Sequence, residues 1–176
     1  MLCHECHGEP EHVADCGACR GTGRANSIPL CEEPWNEVVP GLWVGGHDVF
    51  GGSETAAIVT DQFDSVVSLT ARPGYGPADG VPHKVVRFAD AGLDYFLEQR
   101  LDELSDHVVS ELAAGRKVLV RCAGGLNRSG LVAALTLVKQ GRAPDEAIDL
   151  VRAARGPWAL CNGAFVRYIK SLRTAG

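Results

Sequence analysis

The sequence predicts an α/β domain whose largely parallel sheet is flanked by helices. Short apolar segments typical of buried strands alternate with segments of helical periodicity, and one of the helical segments is apolar around nearly its whole circumference. The 176 residues suit one compact domain with a small appendage. We therefore expect an appendage at 1–25, a linker at 26–37 and the α/β domain at 38–176.

The elements of the domain follow from local patterns along the chain. Strands are expected at 38–39, 42–44, 65–69, 85–88 and 118–120, and helices at 93–114, 129–140, 145–154 and 162–172. The turn dipeptide Pro40-Gly41 separates the first two strands, and Gly115 stands where the first helix should end. A Gly- and Pro-rich loop is expected at 72–82. The helix at 129–140 should lie at the centre of the protein.

Charge and apolar run lengths exclude several kinds of partner. The net charge of −5 argues against a nucleic-acid binder, which usually carries a basic face. No apolar run reaches the roughly 20 residues that span a bilayer. The first residues lack the basic start and apolar stretch of a signal peptide. We expect a cytoplasmic protein with neither a nucleic-acid nor a membrane partner.

The segment 118–130 has the pattern of an anion-binding loop. A predicted strand leads to Cys122, a Gly-containing loop follows, and a long predicted helix starts after Arg128. The amides of such a loop can face one centre, and the helix N-terminus adds positive potential there. The Cys-x5-Arg spacing alone is weak, because Cys161 and Arg167 repeat it within a predicted helix. The strand–loop–helix context therefore carries the prediction of a phosphate site.

The residue types in this loop suit the binding of a phosphate dianion next to the sulfur of Cys122. Arg128 offers a planar fork for two phosphate oxygens, and the same field favours the thiolate form of the Cys122 side chain. Gly124 and Gly125 permit backbone conformations that a Cβ would penalise. Ser129 can donate to the thiolate. The predicted phosphate-binding residues are Cys122, Ala123, Gly124, Gly125, Leu126, Asn127 and Arg128. The plainer alternative is a structural Cys122 with Arg128 in an ordinary ion pair.

The loop also resembles a known family. Cys122–Ser129 is similar to the Cys-x5-Arg-Ser/Thr motif of the protein tyrosine and dual-specificity phosphatases, and the resemblance extends over about 38–172. Residues 38–45 resemble the opening strands of the dual-specificity group, and Asn162 with Phe165 resembles the Asn-x-x-Phe at the start of its last helix. The resemblance implies a phosphatase-type mixed sheet with the phosphate loop between a strand and a helix. Arg121 departs from the family, which usually has His before the nucleophile.

The resemblance implies a hydrolase that acts on phosphoproteins, with phosphotyrosine as the first candidate and phosphoserine or phosphothreonine left open. Such enzymes form a phosphocysteine and use no catalytic cofactor. The family places the general acid about 30 residues before the nucleophile. Asp90, which lies 32 residues before Cys122, is the first candidate and Asp94 the second; Asp79 falls in the Gly/Pro loop. Asp94 is better suited to cap the helix that follows.

Four cysteines near the N-terminus predict a structural zinc site. Cys3, Cys6, Cys16 and Cys19 form two Cys-x2-Cys pairs, and four thiolates at this spacing can close a tetrahedral site. The second pair resembles the Cys-x-x-Cys-x-Gly-x-Gly repeat of the DnaJ chaperone zinc region. A redox dithiol is the minor alternative. We expect this zinc knuckle either to stabilise the N-terminus or to recruit a protein partner.

Other functions remain open at the level of sequence. A catalytically weak phosphate-binding module is the main alternative to an enzyme, and Arg121 is the feature that supports it. A redox or arsenate-type thiol enzyme would need a resolving thiol such as Cys161, and Cys31 or Cys161 could also protect Cys122 by oxidation. A lipid or RNA phosphatase gains no support from the loop, because 123–127 contains no Lys or Arg.

Overall fold

A computed structural model describes residues 33–50 and 54–172 of the chain. The strands in these ranges are β1 (Trp35–Val39), β2 (Leu42–Gly46), β3 (Asp48–Phe50), β4 (Glu54–Ala56), β5 (Ser65–Ser68), β6 (His83–Val85) and β7 (Val118–Cys122). The helices are α1 (Tyr95–Ala113), α2 (Arg128–Lys139), α3 (Pro144–Arg155) and α4 (Gly163–Ser171). From β5 onward the elements follow one another as β5, β6, α1, β7, α2, α3 and α4, which is the order that the sequence predicts.

The central sheet has five strands in the order β1-β2-β7-β5-β6. The edge strand β1 runs antiparallel to β2, whereas β2, β7, β5 and β6 run parallel to one another. The prediction of a mixed, largely parallel sheet is confirmed. Strands β3 and β4 form a separate two-stranded hairpin that the sequence analysis did not predict, because three residues are too few to show a periodic pattern.

Two strands differ most from the prediction. Strand β1 begins at Trp35, inside the expected linker, and the Trp35 ring meets Phe63 edge-on at 5.4 Å. Strand β6 covers His83–Val85 instead of 85–88. The apolar run misled this prediction, because Val86 and Phe88 pack against the core from the coil that follows the strand. The segment after β6 therefore holds part of the site described below.

Helix α2 lies at the centre of the core, as its apolar circumference predicts. Every residue from Ser129 to Val138 is buried, and α2 packs against the other three helices and the sheet. Full burial of a Leu or Val side chain contributes about 1.5–3 kcal/mol, so this helix is held firmly. Because Arg128 is its first residue, the core fixes where that side chain starts.

Helix α1 covers Tyr95–Ala113, so it begins two residues later and ends one residue earlier than the expected 93–114. The Asp94 carboxylate accepts a hydrogen bond of 2.8 Å from the Leu97 amide, which makes Asp94 the N-cap, as expected. Gly115 follows the C-cap residue with φ of +75°, the left-handed conformation that glycine tolerates best. None of the helices in the described ranges is both long and apolar enough to traverse a membrane.

The predicted zinc ligands Cys3, Cys6, Cys16 and Cys19 lie outside the described residues, as does Cys31. Within 33–50 and 54–172, no group of three or more His, Cys, Asp and Glu side chains is arranged to hold a metal ion. The zinc knuckle therefore stays a prediction from the sequence.

Candidate active site

The predicted nucleophile and phosphate clamp stand at the two ends of one short loop. Cys122 is the last residue of β7 and Arg128 is the first residue of α2, with 123–127 between them. Strands β2 and β5 flank β7 in parallel, so the loop leaves the carboxyl edge of the sheet. This edge is where open α/β sheets bind their ligands. The fold therefore places the loop in the position that an anion site requires.

All six carbonyl groups of residues 122–127 accept hydrogen bonds from donors outside this loop, at 2.8 to 3.4 Å. The donors are the backbone amides of His47, Leu131 and Leu160 and the guanidinium of Arg155. The His47 amide alone serves two carbonyls, those of Cys122 and Ala123. Arg155 serves the carbonyls of Gly124 and Gly125. The outer face of the loop is thus fully satisfied.

The amides of the loop must face the other way, because the carbonyl and amide of one peptide unit point in opposite directions. Within 33–50 and 54–172, the amides of 123–127 have no hydrogen-bond partner. Five free donors beside the N-terminus of α2 form a concave nest with positive potential. Buried amides rarely stay unpaired without a ligand or water. The loop therefore has the arrangement of free donors that an anion site requires.

Close backbone packing explains one of the two predicted glycines. Gly125 has φ of +71°, and a Cβ there would lie 2.3 Å from the carbonyl carbon of Gly45 in β2. A Cβ on Gly46 would in turn lie 2.7 Å from the carbonyl oxygen of Ala123. Of the two loop glycines, only Gly125 takes a positive φ, so the expected conformational need at Gly124 is not found.

The Cys122 thiol lies beside the hydroxyl predicted to assist it. Its sulfur is 3.5 Å from the Oγ of Ser129, and both residues are buried. The hydroxyl is close enough to donate to a thiolate at this site. The structure therefore brings Cys122 and Ser129 together, as the motif predicts.

Arg128 keeps unused donors at the mouth of the loop. Its Nη1 donates to the carbonyl of Phe88 at 3.1 Å, but its buried Nε has no hydrogen-bond partner in the described part of the chain. No described carboxylate forms an ion pair with it. Arg128 lines an open cleft of about 420 Å³. The other lining residues are Leu69, Thr70, Ala71, Arg87 and Phe88.

The first candidate for the general acid, Asp90, is tied to the phosphate loop. One carboxylate oxygen accepts a hydrogen bond of 2.9 Å from Asn127, and the other accepts one of 2.8 Å from Asn162. The backbone amide of Asn162 donates in turn to the Asn127 side chain at 3.0 Å. The second candidate, Asp94, caps α1 instead. Of the two, the geometry connects Asp90 to the site.

Sequence reasoning did not find the clamp that Asn127 and Asn162 form on Asp90. Asn127 was predicted only as a contributor of backbone amide, and Asn162 only as part of a helix-start motif. An amide side chain carries donors and an acceptor, so it can bridge two polar groups. Which groups it bridges depends on the fold, because Asp90 lies 37 and 72 residues away from these two partners in sequence.

Arg121 lies on the opposite side of the strand from the nucleophile, because successive strand residues face opposite ways. Its side chain is 1% exposed and donates to the Ser68 hydroxyl and to the carbonyls of Tyr75 and Gly76, at 2.7 to 2.9 Å. Burial lowers the pKa of Arg121 to about 10. Arg121 stands where the family that the loop resembles usually has His, and it secures the loop after β5 instead of entering the Cys122 loop.

Cys161 does not share these features. It is 2% exposed and lies just before the Asn162 cap of α4. Burial is the main cause that raises the pKa of its thiol, which disfavours the reactive thiolate. The repeated Cys-x5-Arg spacing at this point is therefore not matched by a strand–loop–helix site.

Comparison with known proteins supports the fold assignment. No protein-family model matches the sequence, and neither does any curated protein. Among solved structures, the chain is similar to a mouse candidate dual-specificity phosphatase complexed with zinc tungstate, with 25% identity, a TM-score of 0.58 and coverage of 85% of this chain and 92% of that one. It is also similar to OH1 from the Orf virus, a tyrosine phosphatase, with 16% identity, a TM-score of 0.61 and coverage of 85% and 91%.

A third similar structure is that of human DUSP28, with 21% identity, a TM-score of 0.58 and coverage of 83% of this chain and 97% of that one. The fold is therefore that of the dual-specificity and tyrosine phosphatases, a mixed α/β sheet flanked by helices. At these identities the similarity describes the fold, and the function has to be argued from the site.

Proposed function

We propose that this protein is a cysteine-dependent phosphatase of the dual-specificity group, which hydrolyses phosphomonoesters in phosphoproteins, with phosphotyrosine as the preferred substrate. The observation that carries the proposal is the loop 122–128. Its carbonyls from 122 to 127 are all bound from outside. Among the residues that the structure describes, its amides from 123 to 127 have no partner, and neither does the buried Nε of Arg128 at its end. A tetrahedral dianion is the ligand that matches so many converging donors.

The proposed reaction has two steps. The Cys122 thiolate attacks phosphorus in line, the bond from phosphorus to the leaving oxygen breaks, and Asp90 gives that oxygen its proton. The product is a phosphocysteine. The Asp90 carboxylate then takes a proton from water as the water attacks phosphorus, and the Cys122 thiolate leaves with a hydrogen bond from Ser129. Arg128 and the loop amides bind the equatorial oxygens in both steps, using only protein groups and water.

The preference for phosphotyrosine is a proposal with two supports. The cleft next to Arg128 is open and about 420 Å³ in volume, which accommodates an aromatic side chain. The similar protein from the Orf virus is described as a tyrosine phosphatase with triple substrate specificity. Phosphoserine and phosphothreonine therefore belong in the same test.

The test is a panel of p-nitrophenyl phosphate and peptides that carry phosphotyrosine, phosphoserine or phosphothreonine. We expect the wild type to turn over the aryl phosphate and the phosphotyrosine peptide, and Cys122→Ser to bind phosphate without turnover. Asp90→Ala should slow substrates with poor leaving groups about 10²- to 10⁴-fold, and good leaving groups less. Cys161→Ser is the matched control and should keep full activity. Phosphate binding by a wild type that shows no turnover would instead favour a binding module.

We also propose that Cys3, Cys6, Cys16 and Cys19 hold one structural zinc ion, on the basis of their spacing alone. Metal analysis of the full chain should give about one zinc per molecule, and Cys16→Ser should lose most of it. Cys31→Ser is the control, since Cys31 lies outside both pairs. A metal-free chain purified under reducing conditions would contradict this assignment.

A further inference from the structure

The cleft beside Arg128 contains a second guanidinium that the proposed reaction does not use. Arg87 is exposed and lines the same cleft. It directly precedes Phe88, whose carbonyl accepts the hydrogen bond from Arg128, so the two arginines start from neighbouring parts of the cleft wall. No carboxylate among residues 33–50 and 54–172 forms an ion pair with Arg87. The side chain is thus available to a ligand.

The segment 69–89 supplies five of the six cleft-lining residues and is locally basic, and the carboxylate of Asp90 follows it directly. Residues 69–89 contain three cationic side chains, Arg72, Lys84 and Arg87, and one carboxylate, Asp79. The whole chain has the opposite balance, with 22 acidic and 17 basic residues. A local patch of one sign at a cleft attracts ligands of the other sign. The cleft wall is therefore suited to an anionic group beyond the phosphate at Cys122.

We propose that Arg87 binds a second anionic group of the substrate and so sets the sequence preference of the enzyme. The substrate class is a phosphopeptide in which an acidic side chain, or a second phosphorylated one, neighbours the phosphorylated residue. This inference rests on the proposed function for the first phosphate, which occupies the loop at Cys122. One guanidinium then serves each anion, with Arg128 on the reacting phosphate and Arg87 on its neighbour.

A polyanionic lipid headgroup fits this site less well. The amides of 123–127 come from residues without a cationic side chain, and the described lining of the cleft contains two arginines. A headgroup with several phosphates would leave some of its charge unmatched, whereas a peptide with one additional anion would not. The charges that line the cleft therefore match a phosphopeptide better than a lipid headgroup.

The experiment compares phosphotyrosine peptides of one length whose flanking residue is Glu, phosphoserine or neutral Gln. Wild type, Arg87→Ala, Arg87→Glu and Arg100→Ala are assayed for kcat/KM. In parallel, the same peptides are titrated onto Cys122→Ser with and without Arg87→Ala. Arg100 is the matched control, because it is an exposed arginine on α1 that does not line the cleft.

We expect the wild type to prefer the anionic flanks about 3- to 10-fold, and Arg87→Ala to remove that preference. Arg87→Glu should reverse it, and Arg100→Ala should leave it unchanged. The preference should also shrink as salt rises from about 50 to 200 mM. Equal losses on neutral and anionic peptides would overturn the inference, since Arg87 would then belong to the first phosphate. Tighter binding of phosphoinositide vesicles than of any peptide would also overturn it.

The two proposals can fail separately. A wild type without turnover, whose Cys122→Ser form still binds anionic flanks through Arg87, would refute the phosphatase function and keep the subsite. A wild type that hydrolyses all three peptides equally well would keep the function and refute the subsite.

Discussion

Two arginines border the phosphate loop, and they use their donors in opposite ways. Arg121, just before Cys122, donates to Ser68, Tyr75 and Gly76. Arg128, at the far end of the loop, gives one donor to Phe88 and leaves its Nε without a partner in the described part of the chain. The fold satisfies the guanidinium of Arg121, whereas the guanidinium of Arg128 keeps a donor that the proposed function assigns to the phosphate. The two arginines on either side of the loop thus differ in role: Arg121 stabilises the fold, and Arg128 is available for binding.

The difference between Arg121 and Arg128 shows which feature distinguishes a ligand-binding arginine from a structural one. A buried cationic group is costly, so a protein that keeps one either surrounds it with acceptors or holds it for a ligand. Arg155 belongs with Arg121 in the first group, because it donates to four acceptors, including the carbonyls of Gly124 and Gly125. The loop therefore rests on satisfied arginines and presents an unsatisfied one.

The largest expected effect that follows is on Arg128. Arg128→Lys should lower kcat/KM for p-nitrophenyl phosphate by about 10²- to 10³-fold, because a point charge cannot replace a planar two-pronged donor. The free energy of unfolding should change by less than about 0.5 kcal/mol, since the native side chain makes one hydrogen bond to the described part of the protein. Steady-state kinetics and urea unfolding measure the two quantities. A variant that unfolds readily but retains activity would reverse the roles given to the two arginines.

The matched change at Arg121 should have the opposite profile. Arg121→Met leaves the carbonyls of Tyr75 and Gly76 without their donor. It also removes a charge that is costly to bury, since burial lowers the pKa of Arg121 to about 10. We expect a net loss of about 2 kcal/mol in the free energy of unfolding. In p-nitrophenyl phosphate assays of the folded fraction, kcat should stay within about threefold of wild type. A hundredfold fall in kcat without loss of stability would place Arg121 in the reaction instead.

The smallest of the three effects concerns the clamp on the general acid. Asn127→Ala removes the donor to one Asp90 oxygen and should lower kcat about tenfold for an alkyl phosphate, with less effect on p-nitrophenyl phosphate. In an Asp90→Ala background the same change should have almost no effect, because the group that it positions is gone. Additive losses in the double variant would show that Asn127 acts independently of Asp90.

The sequence was a good guide wherever a long pattern or a tight motif carried the information. The apolar circumference of 129–140 located the buried helix, and the strand–loop–helix context separated Cys122 from the Cys161 repeat of its spacing. Short elements escaped, as the three-residue strands β3 and β4 did. The edge strand β6 was misplaced because its exposed residues carry less apolar signal than the coil after it.

Long-range polar contacts were the other feature that could not be predicted from the sequence. The hydrogen bonds that tie Asp90 to Asn127 and Asn162, and the fourfold use of Arg155, join residues 30 to 122 positions apart. No local periodicity encodes such pairs, since they exist only once the sheet edge has assembled. The direction of Arg121 was left open for a different reason, because the expected strand ended at residue 120. Strand β7 extends to Cys122, so the alternation of side chains along it decides the direction.

The most direct test of the account is to trap the covalent intermediate. Wild-type protein is mixed with p-nitrophenyl phosphate, quenched in acid during the burst and digested, and the peptides are mapped by mass spectrometry. The account predicts phosphate on the sulfur of Cys122, with none in Cys122→Ser. Phosphate on another residue, or turnover that persists in Cys122→Ser, would contradict it.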